Sequence, residues 1–116
     1  MERPFDAFSP HCPSREVVDD VIGRWPALVL VALLDNPRRF ADTARAVGGI
    51  SDRMLSRTLT SLTNDGLISR AEQHGQHVTY QLTDAGRQLA TALKGVVAAV
   101  YEVMPQVLAA RQAPTP

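Results

Sequence analysis

Two adjacent glycines, Gly48-Gly49, divide a pair of short amphipathic segments, and this punctuation limits what the 116-residue chain can fold into more than any other feature. On the near side, Phe40 to Val47 fits one helix. On the far side, Ser51 stands as an N-cap, its hydroxyl suited to accept a free backbone N–H. It opens a helix from Asp52 to about Asp65, in which Leu55, Leu59 and Leu62 recur at i, i+4 and i+7 and define an inner face. Gly66 then fits the C′ position that ends such a helix. A helix, a glycine turn and a second helix form a helix-turn-helix candidate.

The flanking sequence extends this unit in both directions. Pro4, Pro10 and Pro13 predict an irregular arm over residues 1–13, after which Ser14 is expected to cap a helix with Val17, Val18, Val21 and Ile22 at helical spacing. Gly23 breaks it. Pro26 then reads as the first-turn proline of an apolar helix, Pro26 to Leu34, whose uniform hydrophobicity predicts burial on every side. Asn36-Pro37 ends that helix. Beyond Gly66, Leu67 to Arg70 and Val78 to Leu82 read as strands of a β-hairpin around a polar tip, Glu72 to His77, that is expected to be flexible. Thr83 is expected to cap a last helix from Asp84 to about Met104, ended or kinked at Pro105, followed by a disordered tail from Arg111 to Pro116. The fold class is therefore α+β, mainly α: a winged helix-turn-helix spanning residues 14–104, with residues 105–116 as a partly disordered end.

The last helix carries Leu89, Leu93, Val96, Val97, Val100 and Met104 along one side, more apolar surface than so small a chain can cover. A second copy is the economical partner, making the first and last helices dimerisation elements. The longest uninterrupted apolar run, Ala27 to Leu34, is far shorter than the roughly 20 residues of a membrane helix. No signal-peptide stretch precedes it, so a cytoplasmic protein with no membrane contact is expected. One cysteine, Cys12, excludes an intrachain disulfide.

Charge separates the function classes. The chain is formally neutral, yet residues 38–70 hold six arginines against three aspartates, whereas residues 14–37 are net acidic. With Leu55, Leu59 and Leu62 turned inward, Arg53, Ser56, Arg57, Thr60 and Asn64 fall on the outer face of their helix. Such a face, led by Ser51, suits base edges in the DNA major groove, because an arginine fork can donate to guanine O6 and N7 together. Arg38, Arg39 and Arg70 suit phosphates, which set register and affinity without reading sequence. Double-stranded DNA is thus the expected partner. An enzyme is not expected: glycine-rich phosphate loops, GxSxG and HExxH are absent, and adjacent Asp19-Asp20 point to different helix faces. A protein-interaction module with solvated arginines is the rival reading.

Cys12-Pro13, Gly23-Arg24-Trp25, Pro37-Arg38-Arg39-Phe40, Gly49-Ile50-Ser51, Met54-Leu55, Asp65-Gly66-Leu67-Ile68, Arg70, Val78-Thr79-Tyr80-Gln81-Leu82-Thr83 and Gly86, in this order, resemble the HxlR family of bacterial winged helix-turn-helix transcriptional regulators. The likeness runs from about Cys12 to Leu93. It implies a homodimer at a promoter, with repression as the usual mode, and the two-fold symmetry of such a dimer predicts an inverted-repeat operator. Gln76-His77 replaces the family's usual wing prolines, which makes His77 a wing contact of a different kind; Arg24 replaces a lysine, and Tyr101 lies near a usual tryptophan.

Cys12 precedes a helix N-terminus and follows His11, both able to favour a thiolate, and it matches the cysteine some family members use to sense electrophiles or oxidants. Sensing would require a Cys12 bridge across two chains or a mixed disulfide. A buried structural thiol is the alternative. Trp25 could line a pocket for a small aromatic effector or could serve as core packing. His11, Cys12, His74 and His77 lack metal-ligand spacing, so neither a metal nor a cofactor is expected.

Overall fold

A computed structural model describes residues 4–73 and 77–112. Its elements are α1 (Pro13–Ile22), α2 (Arg24–Ala32), α3 (Phe40–Ala46), α4 (Asp52–Asn64), β1 (Ile68–Gln73), β2 (His77–Leu82) and α5 (Asp84–Gln112). The fold is a winged helix-turn-helix, mainly helical with one small antiparallel sheet.

The core forms where α4 meets the other elements. Leu55, Leu59 and Leu62 are buried and belong to one cluster with Val29, Leu30 and Leu33 at the end of α2, Ile68 and Leu82 of the hairpin, and Ala90 of α5. Each large apolar side chain withdrawn from water contributes roughly 1.5–3 kcal/mol, so this shared cluster fixes how α4 is presented. Ser51 Oγ accepts the Met54 amide at 3.1 Å and starts α4 at the expected residue. The turns on either side use Gly49 at φ 88° and Gly66 at φ 72°, the left-handed region that side chains with a Cβ avoid.

β1 and β2 pair from Ile68↔Leu82 to Gln73↔His77, longer than expected because the ladder continues through Ala71 and Glu72. The tip, with His74, lies outside the described residues. On its other edge β2 is joined by Arg38, whose N–H donates to the Tyr80 carbonyl at 3.0 Å while the Tyr80 N–H donates back at 2.8 Å. A third strand is thus reduced to a single residue pair. Its sequence signal is too short to see.

Four expectations are corrected. α1 begins at Pro13, because proline at N1 gives up no hydrogen bond, so Cys12 occupies the N-cap and Ser14 caps nothing. α2 starts at Arg24 and is not buried on every side: Leu28 is 41 % exposed, since a chain this small covers only part of a wholly apolar helix. α5 is neither ended nor broken at Pro105 and continues to Gln112. Tyr101, whose carbonyl loses its helical donor there, is exposed, so water can satisfy it. Finally, α5, though divided into short apolar runs by Lys94 and Glu102, has the length and hydropathy of a membrane-crossing helix. Its first half nevertheless packs on α2 and places Leu89 and Leu93 against the core. Val96, Val100, Tyr101, Val103 and Leu108 remain exposed.

Candidate nucleic-acid interface

The outer face of α4 is built as the leucine periodicity implies. Arg53, Ser56, Arg57, Thr60 and Asn64 are all exposed, with Ser51 at the capped N-terminus. Met54, which the sequence reading left out of this face, is 36 % exposed beside them. α3 precedes α4 across the glycine turn. Its N-cap, Arg39, is exposed, whereas Arg45 is paired with Asp42 on the same helix.

Arg38 does not sit with Arg39 as an open phosphate contact. It is half-buried, and its Nε donates to the Ala32 carbonyl at 2.7 Å, closing the C-terminal end of α2. Arg87 donates to the Leu34 carbonyl nearby at 3.2 Å. Both cations suit the negative end of a helix. Arg70 on β1 and His77 at the start of β2 are exposed.

Two clefts flank α4. The larger, about 540 Å³, lies against α1 and is lined by Asp20, Ser56, Arg57, Thr60, Asn64 and Asp65, among others. Burial, then the hydrogen bond and charge of Asp20, then the charge of Glu16 push the Asp65 carboxyl up to about 6. Asp65 Oδ2 is buried with no hydrogen-bond partner among the described residues. Asp19 faces elsewhere and pairs with Arg15 at 3.7 Å, consistent with the two adjacent acids pointing apart. The smaller cleft, about 200 Å³, lies against the hairpin and is lined by Ser56, Leu59, Thr60, Thr63, Asn64, Arg70 and Tyr80. Among the described residues, no acidic side chain lines it.

Cys12 is half-buried at the N-cap of α1. Its Sγ accepts the Asp6 amide at 3.3 Å and the Ser14 hydroxyl at 3.2 Å. These hydrogen bonds, Asp6 first and Ser14 second, hold the thiol below its ordinary value. His11 is not among the groups that lower it. The hydroxyl expected to cap α1 therefore serves the sulfur. Trp25 packs on the core, with the Arg24 guanidinium 4.5 Å above its ring. An apolar groove of about 230 Å³ is formed instead by α1 and α5, from Val17, Val21 and Ile22 to Leu89, Leu93 and Val96.

A family model described as HxlR-like helix-turn-helix matches residues 21–107. The chain is 39 % identical over 106 residues to the uncharacterised helix-turn-helix transcriptional regulator YtfH of Escherichia coli, covering 90 % of this chain and 84 % of that one. Among solved structures, it superposes on ytfH from Salmonella typhimurium with a TM-score of 0.86 at 39 % identity, covering 94 % of this chain and 99 % of the other. It also superposes on diamide-treated YodB from B. subtilis with a TM-score of 0.65 at 25 % identity, covering 81 % and 96 %.

Proposed function

The chain belongs to the HxlR-like helix-turn-helix family, and on that footing we propose that it is a cytoplasmic, homodimeric transcriptional regulator, in its usual mode a repressor. It presents Ser51, Arg53, Ser56, Arg57 and Thr60 of α4 to the major groove of an inverted-repeat operator. The observation that carries this reading is the capped, core-seated α4 with two arginines on its exposed face that have no ion pair among the described residues. Arg39 and Arg70 contact phosphates on either side, and His77 meets the backbone from the hairpin. The exposed part of α5 and the α1–α5 groove take the same elements of a second copy, which sets two α4 helices one helical turn or a multiple apart, roughly 34 Å or more. A gel-shift titration against a duplex selected by the protein from a random pool, with excess non-specific competitor, tests this. Specific binding that weakens steeply between about 50 and 200 mM salt supports it. Equal binding to every duplex, or to none, favours the protein-interaction module.

Cys12 supplies the gate in this reading, supported by its hydrogen-bonded sulfur and by the likeness to YodB, which was crystallised after diamide treatment. Two Cys12 thiolates from paired chains, or one with a small thiol, lose two electrons to the oxidant as the S–S bond forms. Diamide accepts those electrons with two protons and becomes a hydrazine. DNA release on diamide treatment in the wild type and not in Cys12→Ser is expected. An identical response of both proteins removes Cys12 as the gate and turns attention to an aromatic effector.

A further inference from the structure

The smaller cleft beside α4 has a composition that the base-reading face does not explain. Arg70 and Tyr80 are directly paired across the hairpin, which puts their side chains on one face of it, and both line the cleft together with Ser56, Thr60 and Asn64 of α4. Among the described residues, neither the Arg70 guanidinium nor the Tyr80 hydroxyl takes part in a hydrogen bond or ion pair, and the Ser56 and Thr60 hydroxyls are equally uncommitted. The Thr63 hydroxyl, by contrast, already donates to the Leu59 carbonyl at 2.7 Å. Among the described residues the cleft thus gathers one cation and several donors with no carboxylate, while the cleft on the opposite flank of α4 sets two carboxyls, Asp20 and Asp65, against the single cation Arg57.

Tyr80 is also unusually well fixed for a residue beside a surface cleft. Its backbone is paired to Arg38 on one edge and to Arg70 on the other, and its ring packs against the core. Held in this way, its hydroxyl loses little freedom on meeting a ligand, and a preorganised donor binds more tightly than a mobile one.

We propose that this cleft is a seat for one phosphodiester of the DNA backbone, with Arg70 neutralising its charge and Tyr80 and Thr60 donating hydrogen bonds to its non-bridging oxygens. The inference rests on the DNA-binding reading and adds Tyr80 to it, a residue that would otherwise count only as hairpin core. It also gives the DNA a side: the strand flanking α4 runs past the hairpin cleft and is kept from the opposite one by its carboxyls. An anionic phosphate is attracted to the first and repelled by the second.

The test pairs protein variants with modified DNA. Tyr80→Phe keeps the ring and removes the hydroxyl; Arg70→Gln keeps a polar side chain on an exposed strand position. Both are compared with wild type by fluorescence anisotropy on a selected duplex and on a set in which one phosphate at a time is replaced by a neutral methylphosphonate. Thermal melting of each variant confirms that the fold is intact. Tyr80→Phe is expected to weaken binding about tenfold, as for loss of a hydrogen bond to a charged group. Arg70→Gln is expected to weaken binding similarly on all sequences and to lower the salt slope by about one. At one phosphate in each half-site, the methylphosphonate penalty seen with wild type should largely vanish in both variants. If wild type binds specifically but Tyr80→Phe binds equally well, or no position loses its penalty in the variants, the seat is overturned while the DNA-binding reading stands. If wild type shows no salt-dependent duplex binding, both fall together.

Discussion

Only glycine fits at position 86. A Cβ there would come within 1.8 Å of the Leu67 carbonyl oxygen, a backbone atom that cannot swing aside, because α5 begins hard against the start of the hairpin. The same junction is tied by the Thr83 hydroxyl, which donates to the Gly66 carbonyl at 2.7 Å and accepts the Gly86 amide at 3.1 Å. Gly86→Ala is therefore expected to destabilise the fold by about 3 kcal/mol, the upper end for overpacking, and calorimetric melting checks it. Asp65 makes a second prediction at this scale. Its folded carboxyl titrates near 6 because it is partly buried beside Asp20, whereas an unfolded Asp titrates near its ordinary value. Between these values the native state holds the extra proton, so stability is greatest at the acidic end and declines as pH rises toward about 6. Asp65→Asn removes the decline, and Asp20→Asn lessens it, since burial of Asp65 remains. Their melting temperatures should exceed wild type at pH 7 by an amount worth up to about 1 kcal/mol, once solvent screening of a part-exposed pair is allowed for, and match it near pH 4. Equal pH slopes for wild type and Asp20→Asn would show that the two carboxyls do not interact.

At the scale of elements, the proposed function divides the work between α4, which would face DNA, and α5, which would face a second copy. The helix-turn-helix was legible because its signals are local: Leu55, Leu59 and Leu62 declare the inner face, Ser51 the start, and Gly49 and Gly66 the turns. What was not legible depends on contacts between distant segments. Asp20 and Asp65 come from helices that meet only in the folded chain. From its sequence Arg38 reads as a phosphate contact, whereas the fold brings the Ala32 carbonyl to its Nε. The proline rule misplaced the end of α5, since an exposed helix can leave one carbonyl to water at Pro105. The apolar side of α5 yields its own prediction. Val96 is 58 % exposed and Val100 46 %, so a Val96→Glu/Val100→Glu double substitution leaves the monomer core untouched. Sedimentation equilibrium should show a dimer for wild type and a monomer for this variant, because two charges would enter an apolar interface on each side. A variant that sediments like wild type would move the interface elsewhere.

For the molecule as a whole, the arrangement makes α4 a fixed part and its surroundings the adjustable ones. The outer face of α4 is anchored in the same core cluster that seats α2, the hairpin and the first turns of α5, so in the proposed dimer a change in how two α5 helices pack would reach the spacing of two α4 helices as a rigid-body shift. Cys12 caps α1 at the end opposite the core residue Val21, and Val17 and Val18 of the same helix line the apolar groove. In the proposed gate, a bond formed at its sulfur would act on dimer geometry and leave the outer face of α4 chemically unaltered. The most direct check on the central claim is an anisotropy titration of wild type and Arg57→Ala against the selected duplex and a scrambled one of equal length and composition. Wild type should prefer the selected duplex by roughly a thousandfold or more. Arg57→Ala should lose about 1–3 kcal/mol of that preference while its affinity for scrambled DNA changes far less. Equal affinity of wild type for the two duplexes, or a preference untouched by Arg57→Ala, would contradict the assignment of α4 as the element that reads DNA.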